Sequence, residues 1–373
     1  MNIIKYIFIS AITLTILIQN VYAASTCQLP AGSPATYNVP LAPQNITVGP
    51  DMPDGTIVYR VNFNHPTTFG FSCTTPPGES FNLPQRLDYS SLPLPLSGWN
   101  GAPFPGKVYL TSVPGIGVAV WNDLSNQALP TVAFTTTFTN PGNAPVFNFH
   151  VRINTVLSFI KIGPVSPGVI SASSLPSVYL EFASDPSVSN TPLRIYNLNF
   201  TGSINVVSQT CTTPDVDVPL GIHDVSKFTG IGSTTSWVDS SIVLKDCPRF
   251  YGYFNNTNYN NSSGAGSTTV GTAVANVLSL KLSPQTAILD VPHGIMSLAS
   301  NPRSAEGVGI QLGWGDSTGT PALFDFSKSY NYTPGDNMQT SFKIPLAARY
   351  IQTESSVSPG IADGKVTFTI NYY

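Results

Sequence analysis

The sequence predicts an all-β chain folded as two β-sandwich domains, and three observations predict it. Short runs of β-branched and aromatic residues with period-2 alternation recur along the chain, separated by Pro and Gly clusters. No run has the length and spacing of an amphipathic helix: 347–351 is too short, and 270–277 mixes Thr, Val and Ala without a face. Charged residues make up only 9% of the chain, and Thr, Ser, Asn and Pro fill the polar positions, as in exported all-β domains.

Residues 1–23 carry Lys5, an apolar run over 6–18, and Val21-Tyr22-Ala23 before Ala24. A basic start, a short apolar core and a small-residue cleavage site predict a secretory signal peptide. The competing reading is a membrane anchor. The core is too short to span comfortably, and no basic stop-transfer follows. No later stretch is apolar enough to cross a bilayer, so the mature protein is expected to be exported and soluble. Removing the leader leaves 350 residues (373 − 23), enough for two ordinary domains. It also removes Lys5, leaving 15 of the 16 basic residues against 19 acidic ones, a charge near −4. A nucleic-acid partner needs a basic face, and this balance argues against one.

Strand-like runs follow at 56–63, 67–73, 107–113, 116–121, 131–138, 146–153, 155–162, 177–182 and 193–207. A weak internal repeat links the halves. Gly115-Ile-Gly-Val-Ala-Val-Trp-Asn-Asp123 parallels Gly307-Val-Gly-Ile-Gln-Leu-Gly-Trp-Gly-Asp316, each followed by an Ala-Leu pair. Either two related sandwiches or the general likeness of Gly-rich strands accounts for it. The polar triplet 208–210 marks a short link between the halves. The run 255–263, Asn-Asn-Thr-Asn-Tyr-Asn-Asn-Ser-Ser, reads as a flexible surface connection. The final run, 365–373, alternates strictly. Val366, Phe368, Ile370 and Tyr372 face one side; Lys365, Thr367, Thr369 and Asn371 face the other. The chain stops there without a polar tail, so a free sheet edge is expected for a partner.

Four cysteines in an exported chain suggest two disulfides, and four allow three connectivities. The sequential choice, Cys27 with Cys73 and Cys211 with Cys247, places one bridge at the start of each half. A metal site is the alternative. The spacings are wide, and His65, His150, His223 and His293 show no ligand pattern, so neither metal nor cofactor is expected.

The second half carries several spaced motifs. They are Cys211-Thr-Thr-Pro-Asp-Val-Asp-Val-Pro-Leu-Gly221, Lys227-Phe-Thr-Gly230, Trp237 through Cys247-Pro248, Gly307 to Leu312, Ile344 to Tyr350, and Val357-Ser-Pro-Gly-Ile-Ala362 before the last strand. In this order they resemble the pilin domain of chaperone–usher fimbriae over residues 211–373. The resemblance implies an immunoglobulin-like sandwich lacking its last strand. A periplasmic fimbrial chaperone, and later an adjacent subunit, would supply that strand, with assembly at an outer-membrane usher. Val366, Phe368, Ile370, Tyr372 and Tyr373 are then the expected acceptor residues, facing apolar groups near Val216 and Val218.

In the resembled family an ordinary pilin carries a donor extension ahead of this domain. Here residues 24–207 occupy that place. Such a subunit accepts a strand but has none to donate, so it sits at a fibre end. The resemblance therefore implies a two-domain tip adhesin at the cell surface, with a lectin-like first domain binding a host glycan or glycoprotein. The alternative is a non-adhesive or initiating tip subunit. The mannose pocket of the type 1 adhesin is not carried over: the mature start is Ala24, not an aromatic, and no matching acidic motif follows Cys73.

Glycan sites join an aromatic face to carboxylate and amide groups. Trp99 and Asn100 in a Pro/Gly-rich loop, Glu79 and Asn82 after Cys73, and Asp185 and Asn190 in the late loop are the candidate receptor residues. For each, a turn or packing role is the competing reading. Trp121-Asn122-Asp123 has a repeat partner and reads as structural. An enzyme is disfavoured. There is no G-x-S-x-G, H-E-x-x-H or P-loop, although Glu79, Glu181, Asp185 and Glu306 remain unassigned carboxylates. A polyadhesive invasin would need a second ligand surface, which no motif supplies.

Overall fold

A computed structural model describes residues 25–373 apart from 66–68, 143–145, 150–153, 265 and 336–337. The leader 1–23 lies outside the described residues. Among those described, every regular element is a strand except two 3-10 turns, Ala172–Ser174 and Val225–Lys227.

The first sandwich packs two main sheets. One runs in the order Thr131–Thr139, Ser80–Ser91, Ser177–Phe182, Leu193–Thr201, Ala35–Pro40. The other runs Thr268–Thr269, Asn260–Ser263, Ile57–Asn64, Thr155–Lys161, Ile116–Asn122, Tyr109–Leu110. Leu83, Leu87, Val178, Leu180 and Leu198 from the former meet Tyr59, Val61, Val118, Leu157 and Phe159 from the latter in one buried core. Each such side chain contributes about 1.5–3 kcal/mol relative to exposure. Strands 116–122 and 155–161 are buried on both faces, so they read as continuous rather than alternating runs. Their outer face is covered in part by a smaller cluster, in which Trp99 and Phe104 pack on Ile57, Val108, Ala119 and Ile160.

The second sandwich sets a sheet in the order Val238–Asp239, Leu346–Gln352, Val308–Trp314, Ile295–Ser297, Ile288–Asp290 against Tyr330–Tyr332, Leu278–Pro284, Val366–Tyr372. Its core joins Ile310, Leu312 and Tyr350 to Leu278, Leu280 and Tyr372. Disulfides join Cys27 to Cys73, directly opposed on paired strands, and Cys211 to Cys247. The two repeat segments are alike in form: strands 116–122 and 308–314 each receive a two-residue return strand, Gln127–Ala128 and Ala322–Leu323.

Four expectations are revised. The run 193–207 is two strands in different sheets, Leu193–Thr201 and Ser203–Val207, broken at Gly202, where φ is +85° and a side chain would be strained. Within 107–113 only Tyr109–Leu110 is a strand. Ser80–Ser91, unrecognised because Pro84 interrupts it, is a twelve-residue strand, and it holds Asn82. The Asn-rich run is no loose surface connection. Asn260–Ser263 pairs in parallel with Ile57–Asn64, Asn260 opposite Val61 through Ser263 opposite Asn64. Asn260 and Ser262 are fully buried, and Phe254 joins the first core.

The second half grips the first at another place. The Thr47 N–H donates to Gly252 O (2.8 Å), and Asn276 Nδ2 bridges Thr47 O and Tyr373 O (3.2 Å each). Tyr372 N–H donates to Asp51 Oδ2 (2.8 Å), and Asp51 N–H donates to Tyr372 O (3.2 Å).

Candidate functional site

Two regions carry the candidate residues, one in each sandwich. In the first, the structure brings Asn82, Asp185 and Asn190 together beside the Cys27–Cys73 strand pair. Asn82 N–H donates to Ser187 Oγ (2.9 Å), and Ser187 in turn donates its backbone N–H to Asp185 Oδ1 (2.9 Å). Asn82 Oδ1 accepts from Thr137 Oγ1 (2.8 Å). Asn190 clamps the main chain of Cys27, accepting its N–H at 2.9 Å and donating to its carbonyl. These side chains order the 183–192 loop and tie it to strand Thr26–Gln28. Glu79 lies in the neighbouring turn, its main chain paired with Asn140 and its side chain exposed. From this loop the chain runs through Leu193–Thr201 and Ser203–Val207 back toward Thr47, a path of roughly 40–50 Å at strand rise.

Trp99 and Asn100 are elsewhere. The half-buried indole packs over Ile57, and its Nε1–H donates to Pro103 O (3.0 Å). That loop borders a cavity of about 500 Å³ shared with Tyr253, Asn255, Asn256 and Thr257 of the second half. Trp99 covers the outer face of a sheet near the junction, and it has no contact with the Asn82 cluster among its hydrogen bonds. Trp121 is also committed inward, its Nε1–H donating to Ser158 Oγ (3.0 Å).

In the second sandwich a groove of about 600 Å³ runs beside strand Val366–Tyr372. Val366 and Phe368 form one wall; Val216, Val218 and Leu220 face them across a floor of Ile242, Leu282, Ile310, Leu312 and Leu346. Strand 366–372 is the margin of its sheet, bonded on one side to Leu278–Pro284 in a seven-pair antiparallel register. Among the described residues no strand pairs with its other side. Asp215, Asp217, Asp363 and Lys365 also line the groove. Tyr350 lies along it, donating its hydroxyl to Ala362 O, and burial raises its pKa. Ile370 is half-buried beyond the groove. Tyr372 points into the core, where Phe250 stacks on it and its hydroxyl accepts from Cys211 N–H (3.3 Å). Tyr373 is held by Val277 and Asn276. Strand 366–372 thus divides into a groove-facing start and an end anchored at the junction, a division its alternation pattern does not reveal.

Comparison with known proteins bears on this half directly. Residues 198–373 match the family model described as fimbrial protein. The matched segment spans just under half of the chain. The fimbrial subunit type 1 of Salmonella typhimurium is 26% identical over 211 residues, covering 54% of this chain and 97% of that one. The fimbria adhesin protein of Klebsiella pneumoniae is 21% identical over 345 residues, 91% of this chain and 92% of its own, so that likeness extends ahead of the matched segment. Among solved structures, the CupB6 tip adhesin of Pseudomonas aeruginosa aligns at 14% identity and a TM-score of 0.35, over 93% of this chain and 94% of its own. The receptor binding domain of the adhesin MrkD1P of Klebsiella pneumoniae aligns at 22% identity and a TM-score of 0.33, over 50% of this chain and 98% of its own. The relatives of the matched segment are structural subunits and adhesins rather than enzymes.

Proposed function

We propose that the chain is the tip adhesin of a chaperone–usher fimbria. Residues 24–207 form the receptor domain, 208–210 the link, and 211–373 an incomplete pilin domain. A periplasmic chaperone first fills its groove, an outer-membrane usher receives the complex, and an adjacent subunit replaces the chaperone strand. The mature protein passes through the periplasm to the fimbrial tip and binds a host glycan or glycoprotein at the end bearing Glu79, Asn82, Asp185 and Asn190.

The open apolar groove beside the unpaired edge of strand 366–372 carries this reading. An incoming extended peptide would bond that edge and place alternate apolar side chains between Phe368 and Val218. Uncovered, the edge and the groove favour aggregation. The test is to express the full chain with and without its cognate chaperone and to screen the complex on a glycan array. Chaperone-dependent recovery and array binding lost on Glu79→Ala support the reading. A stable, cooperatively unfolding monomer made without any chaperone or donor peptide sinks the pilin assignment. One observation favours the alternative of a non-adhesive tip: Asn82 Oδ1, Asp185 Oδ1 and both ends of the Asn190 amide are already engaged within the chain. An array with no binding by a well-folded complex decides for it.

A further inference from the structure

The Asn-rich run is deeply engaged with the first sandwich. Its main chain adds a parallel strand to Ile57–Asn64, and Thr268–Thr269 folds back on it as the next strand. Asn260, fully buried, donates to Arg60 O (3.2 Å) and accepts from Gly271 N–H (3.0 Å), so both ends of its amide are used. Arg60 is 8% exposed, with its guanidinium 4.8 Å from the Trp121 ring of the first sandwich and 4.4 Å from the Tyr259 ring of the second half. Its Nη1 donates to Asn256 O (3.2 Å).

We infer that the segment around Asn260–Ser263 is an interdomain clamp. It completes the first sandwich's sheet in cis, so that the two sandwiches move as one body rather than about a hinge at 208–210. Swinging the domains apart would bare the edge of strand 57–64, withdraw one of the two rings holding Arg60 and pull Phe254 out of the first core. Each of those groups loses a partner that water replaces poorly. The second contact resists the same motion. A Cβ at Gly49 would lie 2.1 Å from Tyr372 O, so only glycine permits this approach of the two backbones.

Two variants of the full chain, produced with its chaperone, test the clamp. Ser262→Pro removes a ladder N–H and resists pairing. Tyr259→Ala keeps the backbone and removes one ring from Arg60. Hydrogen exchange is read at residues 57–64, with 278–284 as the internal control for a folded second sandwich. A spin-label pair at Leu124→Cys and Lys328→Cys reports the distance between domains. The parent is expected to give slow exchange at 57–64 and one narrow distance. Ser262→Pro should raise exchange there by about tenfold or more and broaden the distance distribution, with 278–284 unchanged. Should Ser262→Pro fail to fold, Tyr259→Ala decides by the same two readings. A broad, multi-component distance in the parent overturns the clamp. So does a folded variant with unchanged exchange and distance.

Discussion

Phe254 lies in the second half of the sequence, but its side chain belongs to the first core. It is 1% exposed, and its ring sits 6.2 Å from that of Tyr59, edge to face. Phe254→Ala therefore removes a buried aromatic from a core whose other fully buried members all precede residue 207. The lost burial and the cavity left behind cost about 3–5 kcal/mol. For a domain of this size each kcal/mol shifts melting by about 2–4 °C, so the first sandwich should melt about 6–20 °C lower. Scanning calorimetry on the full chain measures the shift, and exchange in strands 155–161 and 278–284 assigns it to one sandwich. The expected result is faster exchange at 155–161 with 278–284 held. Unchanged melting, or a loss confined to 278–284, would show that Phe254 belongs to the second core and refute the reasoning.

Three further outcomes are expected. Phe368→Asp puts a carboxylate on the groove wall without a partner and should abolish co-purification with the chaperone; normal recovery of the complex argues against the groove as acceptor. Asn190→Ala frees the N–H and carbonyl of Cys27 and should cost about 1–3 kcal/mol of first-sandwich stability, and equal melting of variant and parent contradicts the clamp on that strand. The Asp239 carboxyl is held down from 3.8 to about 2, first by its bond from Lys343 and then by Ser241. Its contribution is therefore complete above pH 3.8 and is lost as pH falls through about 2. Lys343→Ala should raise the Asp239 midpoint toward 3.8 in a carboxyl NMR titration, and no movement excludes the ion pair as the cause.

Much of the fold was legible because its signal is local. Alternation in 365–373 marks a strand whatever its partner, and the two apolar walls of the groove appear in sequence as Val216 and Val218 against Val366 and Phe368. What failed to show depends on partners far along the chain. Asn260–Ser263 has no β-forming composition. It is a strand because the edge of 57–64, some 200 positions earlier, supplies main-chain partners, and because Arg60 and Gly271 satisfy the Asn260 amide. Ser80–Ser91 hid behind Pro84. The role of Trp99 in covering the Ile57 cluster, with its N–H donated to Pro103 O, does not show in its residue type. Asn190 spends both ends of its amide on the main chain of Cys27, some 160 positions away, and residue type gives no sign of that bond.

The seven-stranded sheet ends on both sides in strands of two residues, Thr268–Thr269 and Tyr109–Leu110. Such stubs offer too few backbone groups to template an incoming chain. Of the two margins of the five-stranded sheet, Thr131–Thr139 has an irregular register between Val132 and Phe134, which interrupts its ladder, and Ala35–Pro40 ends in a proline that has no N–H to offer. Strand Val366–Tyr372, by contrast, is long and unbroken in register, with an apolar trough beside it. Unwanted sheet growth between neighbouring molecules in a crowded compartment is thereby discouraged across the first sandwich, while one receptive seam is kept open on the second.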